Sequence, residues 1–155
     1  MKKFFAAICA ATVLLTGCGQ NHAANSSTVA EAKTTVTEAK TLDTIKISVN
    51  GKTFTATLDD NPTARAFAEM LPLDVDMNEL HGNEKYVYLD DDLPSKAERV
   101  GQIHAGDLML FGSNCVVIFY ADFATTYTYT RLGKVDAADL AETLGTGNVR
   151  MTFAR

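Results

Sequence analysis

From Thr44 onward, apolar and polar residues alternate. Ile45, Ile47 and Val49 are separated by polar side chains, Asn50-Gly51 interrupts, and Phe54, Ala56 and Leu58 resume the pattern. A period of two puts each set on one face of a strand, and Asn-Gly suits a type I′ turn, which needs positive φ twice. After Asn61 the period changes. Asn61 can cap a helix, Pro62 sits where a missing N–H costs nothing, and Ala64, Phe67, Ala68 and Leu71 form one helical stripe, ended by Pro72. Leu73, Val75 and Met77 alternate again, and Tyr86 and Tyr88 alternate with Val87 and Leu89, so two more strands are expected. Asp90 to Gly106, with Pro94, two glycines and many charges, predicts a long surface loop with one helical turn near Ala97.

Leu108 to Phe111 and Cys115 to Tyr120 flank Gly112-Ser113-Asn114 as a second hairpin. The Cys115–Tyr120 run does not alternate, which predicts a central strand buried on both faces. Tyr127 to Leu132 reads as a strand. Asp136 is placed to cap a second helix with Ala137, Leu140, Ala141 and Leu144 inward and Gly145 at its end, and Val149, Met151 and Phe153 make a last strand. Short strands with two short helices define a mainly β fold, either a small closed barrel or a strongly curved sheet. Closure removes exposed edges.

The N-terminal pattern is different. Met1-Lys2-Lys3 precedes an apolar run from Phe4 to Leu15, too short for the ~20 helical residues that span a bilayer. It reads as a signal peptide over residues 1–17. Leu15-Thr16-Gly17-Cys18 resembles the lipobox of bacterial lipoproteins, which implies export, cleavage before Cys18 and lipid on that thiol. One acyl chain binds a membrane only marginally, whereas two or three anchor it. Gly19, not Asp, follows the cysteine, so the resemblance carries no inner-membrane retention signal and leaves both the cell membrane and the outer membrane open. Residues 18–43, rich in Ala, Thr, Ser and Lys, bury too little to offset ordering entropy and are expected to be a flexible linker. Residues 44–155 then form a single domain.

With Cys9 cut away and Cys18 lipidated, Cys115 stands alone, so no internal disulfide is expected and packing alone must stabilise the domain. The chain has 14 basic and 19 acidic side chains, a formal charge of −5. Loss of Lys2 and Lys3 would leave 12 against 19, or −7. No basic stripe appears, which argues against nucleic acid and against electrostatic attachment to anionic lipid.

Asn61-Pro62-Thr63-Ala64-Arg65, Glu84-Lys85-Tyr86-Val87-Tyr88-Leu89, Ala105-Gly106-Asp107-Leu108, Val117-Ile118-Phe119-Tyr120 and Leu132-Gly133-Lys134-Val135 occur in that order. Together they resemble the bacterial cyclophilin-like domain family over essentially all of Thr44 to Phe153. The resemblance implies a small barrel of cyclophilin topology. Family members often carry Pro-Trp-Gly before the asparagine of the central hairpin. Here Phe111-Gly112-Ser113-Asn114 stands there, and the chain has no tryptophan.

The resemblance raises prolyl isomerisation, which must lower a barrier of ~18–20 kcal/mol. Isomerising cyclophilins share a Phe-His-Arg segment, whose arginine donates to the prolyl nitrogen, and a Gln-Gly-Gly-Asp segment. Only Ala105-Gly106-Asp107 echoes the second, with His104 in place of glutamine, and the first is missing. Arg65, Arg99 and Arg131 read as solvated charges. Asp74-Val75-Asp76-Met77-Asn78 opens like an EF-hand loop but has Glu79 for the glycine and Lys85 at the acidic twelfth position. His81 and His104 lack companion ligands, so no metal is expected, and no motif calls for a cofactor. Cys115, in the most apolar strand, reads as an inert thiol. One cluster suits peptide or small-ligand capture: Tyr120, Asp122, Phe123, Tyr127 and Tyr129, with His81 and Tyr86 nearby. Its alternative is core and rim packing. The expected function is a membrane-tethered, non-catalytic binding module, with a divergent prolyl isomerase as the alternative.

Overall fold

The computed structural model describes residues 43–155. The signal segment expected over 1–17, the lipidated Cys18 and the linker up to residue 42 lie outside the described residues. The chain order is β1 (Thr44–Val49), β2 (Lys52–Leu58), α1 (Pro62–Glu69), β3 (Leu73–Leu80), β4 (Glu84–Tyr88), β5 (Glu98–Arg99), β6 (Gln102–Ile103), β7 (Asp107–Phe111), β8 (Cys115–Phe119), β9 (Phe123–Ala124), β10 (Thr128–Val135), α2 (Leu140–Leu144) and β11 (Val149–Ala154). Eight strands pair in the order β2-β1-β11-β3-β4-β8-β7-β10, all antiparallel, and β10 returns to β2 to close a barrel. Neither described helix is long and apolar enough to cross a membrane.

Local chemistry sets the turns. Asn50 and Gly51 both take positive φ, 48° and 78°, so the β1–β2 hairpin has the turn the alternation predicts. In α1, the Asn61 side chain accepts from the Ala64 N–H at 2.8 Å and donates to the Arg131 carbonyl at 2.9 Å, so one residue caps the helix and ties it to β10. Ala64, Phe67 and Ala68 of α1 and Leu140 and Leu144 of α2 pack into the cluster that fills the barrel, where Phe67 meets Phe153 edge to face at 5.7 Å.

Two expectations are corrected. Asp136 does not cap α2: its carboxylate accepts from the Ala138 N–H in a preceding turn, and Asp139 at the cap position is left-handed with no side-chain cap bond. The five-residue helix is little more than one turn, so its inward stripe shrinks to Leu140 and Leu144, and Ala137 and Ala141 are exposed. There is no helical turn near Ala97. The edge of β10 satisfies that backbone instead: β5 pairs Arg99 with Thr128 and Glu98 with Tyr129, and the Thr130 hydroxyl accepts from the Lys96 N–H at 2.9 Å.

All five residues of β8 are buried, and the reason places the site. Val116 and Ile118 face the barrel interior. Cys115, Val117 and Phe119 face outward into a second cluster with Ile103, Met109 and Tyr129. The ribbon of β6 and β9 lies against that outer cluster through Ile103 and Phe123. It leaves part of the outer face uncovered.

Candidate functional site

The uncovered part is a groove of about 510 Å³ on the outside of the barrel. Glu84, Tyr86 and Tyr88 stand at alternate positions of β4 and so share its outer face. Cys115 and Val117 of β8 form the floor, and Phe111, Tyr127 and Tyr129 line the opposite side. The rings meet edge to face or tilted: Tyr86 and Tyr88 at 5.9 Å, Phe111 and Tyr127 at 6.0 Å, Phe111 and Tyr129 at 5.6 Å. Tyr88, Phe111 and Tyr127 remain 63 %, 41 % and 64 % exposed at the rim.

Five of the sequence-predicted cluster residues come together here: His81, Tyr86, Phe123, Tyr127 and Tyr129. Two do not. The Asp122 carboxylate accepts from the Ala105 N–H at 2.7 Å and pins the turn before β7. Tyr120 turns toward the barrel interior, where its hydroxyl donates to Glu79 at 2.6 Å. That contact belongs to a network the alternation did not predict. Lys85 is fully buried and donates to the carbonyls of Gly145 at 2.9 Å and Gly147 at 2.6 Å and to the Glu79 carboxylate, with the Tyr120 ring 5.3 Å from its nitrogen. All three ammonium protons find acceptors.

Charge in the groove is sparse. Burial pushes the Glu84 carboxyl above its usual range, which His81 offsets only in part. Burial, with the Glu84 charge adding to it, pushes the Cys115 thiol up to about 11, and the same two causes raise Tyr129. The Asn83 side-chain oxygen, also at the groove, is buried without a partner. Sequence reasoning missed Glu84, Tyr88 and Phe111. The signal was there for Glu84 and Tyr88, which fall two residues either side of Tyr86.

The other candidates have structural partners. Asp107 is buried, accepts from the His104 N–H at 2.9 Å and pairs with Lys134 at 2.8 Å. Asp74 lies on β3 and pairs with Arg150, so the EF-hand-like stretch is extended rather than a loop. Arg65 pairs with Asp60 at 2.6 Å, and Arg99 and Arg131 line another concavity, of about 490 Å³, beside α1. Among the described residues, no three His, Cys, Asp or Glu side chains gather as metal ligands.

The fold and groove together define a closed eight-stranded antiparallel barrel carrying an aromatic-walled recess on its outer surface. The chain belongs to the cyclophilin-like family, whose model matches residues 47–154. No curated protein matches it.

Proposed function

We propose that the protein is a lipid-anchored module outside the cytoplasm that binds a peptide or small ligand in the outer-face groove and catalyses no reaction. The groove carries this reading. Its volume suits a small ligand, its walls are aromatic, and a few polar groups stand at fixed positions on β4 and the neighbouring strands. Exposed rings at the rim are poorly hydrated surface that a ligand would cover. The tether is read from Leu15 to Cys18 alone.

The second reading, prolyl isomerisation, draws on the family resemblance. It needs an arginine beside the bound amide, and among the described residues the groove is lined by none, while Arg99 and Arg131 border the other concavity.

The test is chemical-shift mapping of the full chain in detergent micelles against a panel of proline peptides and small aromatic and amine fragments. Perturbations should converge on Tyr86, Val117, Phe123 and Tyr127. Shifts concentrated elsewhere would overturn the binding reading. Exchange spectroscopy on the proline peptides should find no rate above background. Acceleration lost in Arg131→Ala would put the isomerase in its place.

A further inference from the structure

Resting on the reading of the groove as a ligand site, we infer that its occupant is a small organic ammonium ion. It would sit against the rings of Tyr86, Tyr88, Phe111 and Tyr127, with the Glu84 carboxylate as its counter-charge.

Glu84 is the centre of the inference. It is only partly exposed, and among the described residues no lysine or arginine pairs with it and no donor hydrogen-bonds its carboxylate. Two other acids of the barrel are matched: Glu79 by Lys85 and the buried Asp107 by Lys134. Among the described residues, His81 at the rim is the one basic side chain lining the groove, and it makes no salt bridge to Glu84. A desolvated carboxylate without a cation is costly, and a ligand that brings one relieves that cost. Cys115 and Tyr129 line the same groove, and the Glu84 charge adds to the burial that raises both of them.

The walls select the same chemistry. Aromatic faces carry negative quadrupole density, and a cation held over them gains most where water is excluded. Edge-to-face pairs, Tyr86 with Tyr88 and Phe111 with Tyr127, turn ring faces in different directions around one space. The floor of Cys115 and Val117 offers apolar contact for methyl or methylene groups next to the charged nitrogen. An anion would meet the Glu84 charge, and a neutral ligand would leave it uncompensated.

The experiment titrates the full chain in detergent micelles with choline and with its neutral carbon isostere, in which a tert-butyl group replaces trimethylammonium. Chemical shifts follow binding. Choline should bind at least about tenfold more tightly, with shifts centred on Glu84, Tyr86 and Tyr127. Glu84→Gln, which preserves shape, should cut choline affinity about tenfold and leave the isostere within about twofold. Tyr127→Leu, on an exposed loop where folding is not at stake, should weaken choline about threefold while sparing the isostere. Equal affinities for the two probes at the groove would overturn the ammonium inference yet keep the groove as a ligand site. Shifts from both probes located away from the groove would remove the site as well. Tighter binding of the capped tripeptide acetyl-Ala-Lys-Ala-amide than of choline would overturn the small-ion form in favour of a lysine side chain.

Discussion

Lys85 is held inside the barrel end by three groups from two parts of the chain: Glu79 on β3 and the carbonyls of Gly145 and Gly147 between α2 and β11. Burial pushes the Glu79 carboxyl up, but the hydrogen bonds from Lys85 and Tyr120, the Lys85 charge and the Gly82 N–H outweigh it and leave it below its usual 4.5. A folded-state value below the unfolded one contributes stability above that range, lost as pH falls through the lowered value. Lys85→Met removes the cation and leaves the burial. The variant should lose about 3 kcal/mol at neutral pH, read from the urea midpoint, because an unpaired charge stays inside. Its Glu79 should then titrate higher than in the unaltered protein, so the deficit relative to that protein shrinks on acidification. In the sequence this lysine was invisible as a core residue, because two of its three acceptors lie 60 and 62 positions away and a lysine in a strand reads as solvated. Cys115 behaves oppositely: its burial was legible from the apolar run around it. With its pKa about 11, its thiolate fraction at pH 8 is roughly a thousandth, so iodoacetamide should label it about a hundredfold more slowly than a free cysteine. Labelling at the free rate would show that the β8 floor opens to water.

At the scale of elements, the closing seam between β10 and β2 depends on an absent side chain. Gly133 pairs with Leu58 just past a register shift in the β7–β10 ladder, and a Cβ there would strike the Thr57 carbonyl oxygen and come within 2.9 Å of the Leu58 Cα. Backbone cannot yield as a flexible side chain can. Gly133→Ala should cost about 1–3 kcal/mol, and the thermal midpoint should drop by at least about 4 °C. An unchanged midpoint would show that the seam tolerates separation. Strands that alternate, such as β1, β2 and β11, and the helix α1 with its Asn-Pro start were legible because one local periodicity and one cap decide each of them. The start and cap of α2, together with β5 and the β6–β9 ribbon, were not, because one to two turns or two residues carry no period, and long-range pairing decides the strands. The site was half legible for the same reason. Residues of one strand, Tyr86 among them, could be grouped by parity, while Tyr120 and Asp122 were grouped by nearness in sequence. Parity sends Tyr120 inward, and a turn captures Asp122.

At the scale of the whole molecule, the charge balance decides how it can meet a membrane. With 19 acidic side chains against 14 basic, the chain is repelled by an anionic bilayer surface, and the proposed loss of Lys2 and Lys3 strengthens that repulsion. Among the described residues, the exposed large apolar side chains are Leu80, Tyr88, Phe111 and Tyr127, all at the groove, so they serve a ligand rather than a lipid in the proposed reading. The described helices are too short to cross. In the proposed reading retention comes from lipid on Cys18, and two or three acyl chains suffice for it whereas one does not. Cys18→Ala should therefore leave the membrane fraction of its host almost completely, while the unaltered protein stays there through a high-salt wash, because salt screens charges and leaves acyl burial intact. A wild-type protein stripped by salt would point to electrostatic docking. A Cys18→Ala variant that still partitions into detergent as the unaltered protein does would place the anchor elsewhere in the chain.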